Sequence, residues 1–224
     1  YVVDSRGVIW EGRDENMEPT KAAYAQKTDA RTLADVCIDA DVFLGCSAPG
    51  VLKAEMVKSM AERPLILALA NPEPEIRPEL AKEVRPDCVI ATGRSDYPNQ
   101  VNNVLCFPFI FRGAMDVGAT VINEEMKLAC VKAIAELAEA EQNDEVATAY
   151  AGQDLSFGPD YIIPKPFDPR LIIKIAPAVA EAATASGVAR RPIEDMEAYR
   201  QKLMSLVYHT GQLMRPLFMQ AKNA

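Results

Sequence analysis

The first half of this chain alternates short apolar runs with amphipathic segments, and this alternation is the feature that most restricts its fold. Each apolar run is too short for a helix, while the segments between the runs carry apolar residues at helical spacing. Strands that alternate with helices predict right-handed βαβ connections and a parallel sheet with both faces covered. The strand-like runs are residues 42–46, 65–70 and 88–92, and the helix-like segments are residues 32–40, 53–61 and 77–84.

The second half has a helical pattern only. After about Asn103 the strand-like runs end, and helices are predicted around residues 126–137 and over residues 171–183. Asp168 and Pro169 precede the latter helix, where they suit a cap and a first-turn proline.

A last helix is predicted from about residue 193, and Gly211 and Pro216 should bend or end it. The expected fold class is therefore α/β. We expect residues 1–103 to form an incomplete Rossmann-type parallel sheet, and residues 104–224 to form a helical C-terminal region packed on that sheet or on another subunit.

The composition of the 224 residues excludes several classes of protein. With 49% hydrophobic and 25% charged residues, the chain has the apolar content of a globular domain and not of a disordered one. The formal net charge of −8 argues against a nucleic-acid partner. No apolar run is long enough to span a membrane, so no membrane association is expected. The single histidine, His209, makes histidine-centred catalysis or a zinc site improbable.

The five cysteines form no CxxC pair. All of them follow or lie within apolar runs, so we expect small buried hydrophobic side chains in a reducing cytoplasm. They are Cys37, Cys46, Cys88, Cys106 and Cys130.

Two clusters of ligand-type residues follow the predicted strands on the side where a parallel sheet binds its ligands. The first is Asp4-Ser5-Arg6-Gly7, in which an acidic residue suits an adenosine ribose and a nearby cation suits a 2′-phosphate; an ordinary Asx turn is the alternative. The second is the loop 45–50, where the small residues Ser47 and Ala48 allow a ligand to approach the backbone; a plain βα turn is equally compatible.

Two further clusters carry side-chain amides. Asn71 follows an apolar strand and could bind a carboxamide or a carboxylate; a capping or turn asparagine is the alternative. The polar loop 92–103 includes Gly93 and the pair Asn102-Asn103, which we expect at the amino end of a helix, where backbone N–H groups favour anions. Together the four clusters indicate a Rossmann-type nucleotide site.

One component of such a site is absent from the sequence. No Gly-x-Gly-x-x-Gly motif occurs, and its place about 20 residues before Asp4 would precede this chain. The residues Tyr1-Val2-Val3 resemble the end of a buried strand, and no initiator methionine precedes them. We therefore expect the chain to be part of a longer protein, with the first strand and the glycine-rich loop of the domain upstream.

With these residues in place, the sequence resembles malic enzymes, and most closely the bacterial NADP-type form that often continues into a phosphotransacetylase-like module. The resemblance extends over essentially the whole chain and rests on the order and spacing of several short motifs. These are Val3-Asp4-Ser5-Arg6-Gly7, Gly12-Arg13, Leu69-Ala70-Asn71-Pro72, Ala91-Thr92-Gly93-Arg94-Ser95, Asn102-Asn103-Val104 and Phe107-Pro108.

The resemblance implies oxidative decarboxylation of L-malate to pyruvate and CO₂, with reduction of a nicotinamide cofactor and help from Mg²⁺ or Mn²⁺. It also implies a cytoplasmic homo-oligomer. Carried over by position, Asn71 would lie near both the nicotinamide and the substrate, and Asn103, with Asn102, would hold a malate carboxylate. The remaining cofactor-binding residues would be Asp4, Ser5, Arg6, Lys21, Ser47, Ala48 and Gly93.

The expected cofactor is NADP, with NAD as the alternative. Asp4 alone would favour NAD, because a carboxylate repels a 2′-phosphate. Arg6 and Lys21 oppose it, and two cations should outweigh one carboxylate. The competing interpretation is that both cations are solvated surface charges.

The departures from the family pattern limit what this chain can do alone. The tyrosine and lysine that transfer protons in malic enzymes, and the carboxylates that bind the metal, lie upstream in the family and have no counterpart here. We thus expect neither catalytic nor metal-binding residues in this chain, and no phosphotransacetylase-like module within it. The alternative function is a non-catalytic nucleotide-binding module for regulation or assembly.

Overall fold

The computed structural model describes residues 1–140 and 156–207, so the expectations for His209, Gly211 and Pro216 lie outside the described residues. The chain divides into two compact units, Tyr1–Val101 and Asn102–Ala224. No helix among the described residues is long and apolar enough to cross a membrane.

The first unit contains a three-stranded parallel sheet whose strands are, in spatial order, β3 (Val42–Gly45), β4 (Leu65–Ala68) and β5 (Val89–Thr92). The register aligns Val42, Leu65 and Val89 across the three strands. Each connection carries a helix, so the predicted α/β fold with a parallel sheet is confirmed. The elements of this unit's βαβ part are α2 (Leu33–Cys37), β3 (Val42–Gly45), α3 (Ala54–Lys58), β4 (Leu65–Ala68), α4 (Pro78–Val84) and β5 (Val89–Thr92).

The central strand β4 supplies the middle of the first core. Its side chains alternate in exposure, and Ile66 and Ala68 are fully buried. The outer strand β3 has one unpaired edge within the described residues, and its Val42 and Leu44 are 55% and 64% exposed. The buried cluster around β4 consists of Cys37, Leu52, Val57, Met60, Ile66, Ala68, Ile76, Ala81, Cys88 and Ile90.

The start of the chain differs from its prediction as the end of a buried strand. Strand β1 (Val3–Asp4) pairs antiparallel with β2 (Gly7–Val8) and belongs to a separate two-stranded sheet. Tyr1 is 64% exposed. The chain reverses here because Gly7 adopts a φ of 108°, a value that side chains with a Cβ rarely allow. A short helix, α1 (Pro19–Ala22), follows this hairpin.

The second unit is built around one central helix, as the sequence predicted for a helical C-terminal region. Helix α7 (Arg170–Ala185) packs against α5 (Phe107–Asp116), α6 (Glu124–Glu139) and α8 (Met196–Val207). The apolar residues of α7 recur every fourth position and are fully buried, which is the pattern of a helix enclosed by its neighbours. These positions are Leu171, Ile175, Val179 and Ala183.

The predicted start of α7 is correct to within one residue. Pro169 directly precedes the first helical residue, and the buried Asp168 carboxylate accepts a hydrogen bond from the Arg170 backbone N–H at 2.8 Å. The Arg170 guanidinium also pairs with Asp168 at 2.7 Å. A helix-start signal that is local in sequence is therefore kept in the tertiary structure.

The expectation that all five cysteines are buried is wrong for two of them. Cys37, Cys88 and Cys130 are buried, whereas Cys106 is half-buried and Cys46 is exposed. Cys46 is exposed because β3 ends at Gly45, so the residue already belongs to the loop.

The contact between α5 and α7 requires a glycine, which gives a test of the second core. A Cβ at Gly113 would lie 2.5 Å from the Ala176 carbonyl oxygen and 2.9 Å from the Val179 Cβ. We expect Gly113→Ala to lower the free energy of unfolding by about 1–3 kcal/mol, despite the better helix propensity of alanine. Thermal unfolding should show a Tm lower by about 2–4 °C for each kcal/mol.

The control lies on the exposed side of another helix of this unit. Glu136 of α6 is exposed, so Glu136→Ala should change stability by less than about 0.5 kcal/mol. An unchanged Tm for Gly113→Ala would contradict the tight packing of α5 and α7.

Candidate functional site

The carboxylate of Asp4 is the centre of a hydrogen-bonded cluster in the first unit. Arg13 donates to both of its oxygens, at 2.7 and 2.9 Å, and Lys21 donates to Oδ2 at 3.0 Å. The side-chain amide of Asn16 reaches the same oxygen at 3.1 Å, and the Arg6 backbone N–H donates to Oδ1 at 2.9 Å. The last of these bonds spans two residues and makes the Asx turn that the sequence offered as an alternative.

The buried Arg13 side chain stabilises the β1–β2 hairpin through hydrogen bonds to its backbone. Its guanidinium also donates to the carbonyl oxygens of Gly7, Val8 and Glu15, at 3.1, 2.9 and 3.0 Å. The residue is only 8% exposed. A buried guanidinium that satisfies several backbone carbonyls fixes the carboxylate it pairs with, because neither partner can turn without losing bonds.

The cluster determines the charge that a ligand would meet. Burial by itself would raise the pKa of Asp4, but the hydrogen bonds from Arg13, from the Arg6 amide and from Lys21 together lower that pKa well below its ordinary value. Asp4 is therefore ionised at neutral pH, and two cations face this one carboxylate. The excess positive charge suits an anionic group.

The other two predicted residues of this cluster are at the surface. Ser5 and Arg6 are exposed, and the Arg6 guanidinium lies 3.2 Å from the Glu15 carboxylate. Both groups of that ion pair are more than 60% exposed, so the pair contributes little stability and leaves Arg6 free to change partner.

A cavity of about 1150 Å³ brings the first two predicted clusters together. Residues 4–7 line one side, and Gly45, Ser47 and Ala48 line another. The first cluster is thus adjacent to the carboxyl end of β3, although its own strand lies outside the parallel sheet. The cavity also runs along the edge of β3 that is unpaired within the described residues, where Val42, Phe43 and Leu44 line it.

The buried carboxylate of Glu75 joins the second and third predicted clusters. Its Oε1 accepts hydrogen bonds from the Ser47 backbone N–H at 2.8 Å and from the Ser47 hydroxyl at 3.1 Å, and its Oε2 accepts from the Ala70 N–H at 3.0 Å. Glu75 is fully buried. The close approach of the Glu75 side chain to the end of β3 requires a glycine at position 45, because a Cβ at Gly45 would lie 2.5 Å from the carboxyl carbon of Glu75.

The third and fourth clusters are joined by an ion pair. Arg94 Nη1 lies 2.7 Å from the Glu73 carboxylate, and Arg94 Nη2 lies 2.7 Å from Asp96. Asn71 is exposed beside this pair of loops. At Gly93 a Cβ would meet only the Val101 carbonyl oxygen, at 3.9 Å, so no contact within the described residues requires glycine there.

Asn102 and Asn103 begin the second unit and are both exposed, but only the Asn102 side chain has a capping bond. The Asn102 side-chain oxygen accepts a hydrogen bond from the Val104 N–H at 3.0 Å, so this residue caps a short 3-10 helix, Asn103–Leu105. Asn103 is exposed at the first position of that helix. The α-helix that was expected directly after the pair begins only at Phe107, because the 3-10 turn intervenes.

Comparison with known proteins assigns the family. Residues 1–150 match the family model described as "Malic enzyme, NAD binding domain". The chain is 70% identical over its full length to the NADP-dependent malic enzyme of Escherichia coli (strain K12), and 60% identical to the NAD-dependent malic enzyme of Rhizobium meliloti (strain 1021). It spans 30% of the length of the first relative and 29% of the second.

This chain belongs to the malic enzyme family. A crystal structure of the Entamoeba histolytica malic enzyme matches 95% of the chain and 43% of that protein, with a TM-score of 0.73 and 33% identity. The malic enzyme from Pyrococcus horikoshii matches 90% of the chain and 44% of that protein, with a TM-score of 0.70 and 35% identity. The resemblance inferred from the short motifs is confirmed, and the cavity lies in a nicotinamide-cofactor-binding domain.

Two residues important to this malic enzyme domain were not predicted. Arg13 was part of a recognised motif without a role, and Glu75 was part of a proline-rich loop. The only sequence signals were an arginine and a glutamate in short segments rich in glycine or proline. Neither signal reveals burial, which depends on the contacts with Asp4 and Ser47.

Among residues 1–140 and 156–207, no group of three or more His, Cys, Asp or Glu side chains could hold a metal ion. The described part of this malic enzyme chain therefore offers no fit for the divalent cation that the resemblance implies, and we assign the cation no ligands here.

Glu75 provides a test of how the loops are positioned. In Glu75→Gln an amide N–H₂ replaces one acceptor oxygen, so at least one of the N–H groups of Ser47 and Ala70 loses its partner. We expect the free energy of unfolding to fall by about 1–3 kcal/mol. The KM for the nicotinamide cofactor of the full-length protein should rise about tenfold, equivalent to about 1.4 kcal/mol.

The control is Glu55→Gln on the exposed side of α3, which removes a carboxylate without removing a buried acceptor. Both quantities should stay at the wild-type value in that variant. Equal behaviour of the two variants would show that Glu75 does not hold the loops.

Proposed function

We propose that this chain is the cofactor-binding part of a malic enzyme that converts L-malate to pyruvate and CO₂ while it reduces NADP. The observation that supports this most is the 70% identity over the full chain to the NADP-dependent malic enzyme of Escherichia coli. No observation favours the alternative of a non-catalytic regulatory or assembly module, since three relatives at 63–70% identity are named as enzymes.

When bound, the cofactor would supply a nicotinamide ring as the hydride acceptor of the reaction. The residues of this chain bind and orient. Ser47 and Ala48 are small and exposed at the cavity, so they would let the cofactor approach the backbone. Gly93, with open space where a side chain would be, would do the same at the third strand. Asn71 would donate to and accept from the nicotinamide carboxamide or the substrate.

The Asp4 cluster supports NADP as the preferred cofactor. Arg13 and Lys21 both form ion pairs with Asp4, so the negative charge of this carboxylate is already neutralised before a phosphate approaches. Lys21 and the exposed Arg6 would bind the 2′-phosphate, with Ser5 beside them as a hydroxyl donor. The proposed role of Asp4 is to orient Lys21, and its remaining contact would be the adenosine ribose.

The substrate would be held by the asparagine pair. Asn103 would donate to a malate carboxylate, and Asn102 would position it by capping the 3-10 helix that Asn103 begins. Proton transfer and binding of Mg²⁺ or Mn²⁺ would come from parts of the protein outside this chain.

We also propose a cytoplasmic homo-oligomer. The free thiols agree with a reducing compartment, and the exposed apolar face of α5, formed by Phe107, Phe111 and Met115, supports assembly. A phosphotransacetylase-like module elsewhere in the full-length protein is part of this proposal.

The proposed substrate contact is tested by Asn103→Ala in the full-length protein. Loss of a hydrogen bond to a carboxylate costs about 1.5–3 kcal/mol, so the malate KM should rise about tenfold or more while the NADP KM changes little. Asn102→Ala is the matched comparison: it removes the cap, so it should lower thermal stability as well. Unchanged malate kinetics in Asn103→Ala would make the pair structural only.

The cofactor preference is tested by the double variant Arg6→Ala with Lys21→Ala, again in the full-length protein. We expect the ratio of kcat/KM for NADP to that for NAD to fall at least about tenfold, or about 1.4 kcal/mol. The control is Lys58→Ala in the last turn of α3, which removes an exposed cation away from the Asp4 cluster. A ratio that changes no more than in the control would assign both cations to the solvated surface.

A further inference from the structure

Two thiols in the second unit lie in direct contact. The Sγ atoms of Cys106 and Cys130 are 3.3 Å apart, although 24 residues separate them in sequence. Cys106 precedes α5, and Cys130 lies within α6. Neither thiol has a role in the proposed reaction.

The two thiols differ in their access to solvent. Cys130 is 1% exposed, and Cys106 is half-buried at the start of its helix. Burial, together with the hydrogen bond to Cys106, raises the pKa of the Cys130 thiol to about 12. Because the thiolate is the reactive form, an external oxidant meets a protonated and inaccessible Cys130 and reaches only Cys106.

We propose that Cys106 and Cys130 are a reversible dithiol–disulfide pair whose oxidant is a low-molecular-weight disulfide such as oxidised glutathione. The bond requires the sulfur atoms to approach by about 1.3 Å from their present separation, to the roughly 2.05 Å of a disulfide. Rotation of two side chains supplies a movement of that size.

The chemistry proceeds in two exchanges. The Cys106 thiolate attacks one sulfur of glutathione disulfide, which forms a mixed disulfide and releases one glutathione thiolate. Cys130 then attacks the Cys106 sulfur, and the second glutathione leaves with the proton that Cys130 loses. The two cysteines lose two electrons and two protons, and one glutathione disulfide becomes two glutathione thiols.

The pair is linked to the proposed substrate residue through the backbone. The Cys106 N–H donates a hydrogen bond to the Asn103 carbonyl oxygen at 3.1 Å. A disulfide to α6 would therefore restrain the 3-10 helix that carries Asn103, and the expected consequence is a malate KM raised at least twofold in the oxidised protein. This consequence, unlike the bond itself, rests on the proposed function.

The experiment begins with the fully reduced, full-length protein, which is incubated with increasing ratios of oxidised to reduced glutathione. After alkylation and digestion, mass spectrometry should find a peptide in which Cys106 and Cys130 are linked, and dithiothreitol should remove the link. The exposed Cys46 is the internal control, since it has no thiol beside it among the described residues and should carry glutathione only.

A variant identifies the order of the two steps. In Cys130→Ala, the reaction should stop after the first exchange, with Cys106 in a mixed disulfide with glutathione. If that variant does not fold, the wild-type peptide map decides the question by itself. Glutathione on Cys106 of the wild-type protein, without any linked peptide, overturns the proposal.

The malate kinetics are measured on the same oxidised and re-reduced samples. A malate KM that rises on oxidation of the wild type and recovers with dithiothreitol, but does not rise in Cys106→Ala treated in the same way, supports the link to Asn103, because that variant carries glutathione on Cys46 without the disulfide. An unchanged KM in a protein shown to be linked overturns it. Since the peptide map requires no activity, failure of the thiol pair is distinguishable from failure of the proposed function.

Discussion

The candidate site of the first unit depends on one buried carboxylate. Glu75 accepts three hydrogen bonds from Ser47 and Ala70, so it joins the loops that follow two neighbouring parallel strands. A buried carboxylate is costly unless its oxygens are satisfied, and here donors from both loops satisfy it. The two loops are therefore tied to each other at the carboxyl edge of the sheet.

In the Asp4 cluster, hydrogen bonds between charged side chains fix the positions of those charges. Arg13 is buried by the hairpin carbonyls that it satisfies, and its remaining donors hold Asp4. Asp4 in turn positions Lys21. Because Arg13 and Lys21 both pair with Asp4 within the cluster, its net positive charge is held in place before an anion arrives.

The second unit is organised by apolar packing. Helix α7 buries its face against three other helices, and the fit is close enough that Gly113 admits no side chain. The same packing brings Cys106 next to Cys130. A contact between two thiols that are distant in sequence is thus a consequence of helix packing. This contact is the basis of the proposed dithiol–disulfide pair.

The sequence by itself determined the α/β class, the parallel sheet, the helical second half and the family. These properties follow from local patterns: apolar runs of strand length, helical periodicity, and short motifs whose order is visible in the sequence without knowledge of tertiary contacts. The start of α7 after Asp168 is another such local signal. Only the tertiary structure decided that the opening strand folds back as a hairpin, and that Arg13 and Glu75 are buried. Each of these outcomes depends on a partner brought close by folding, and burial of a polar side chain is decided by that partner and not by its neighbours in sequence.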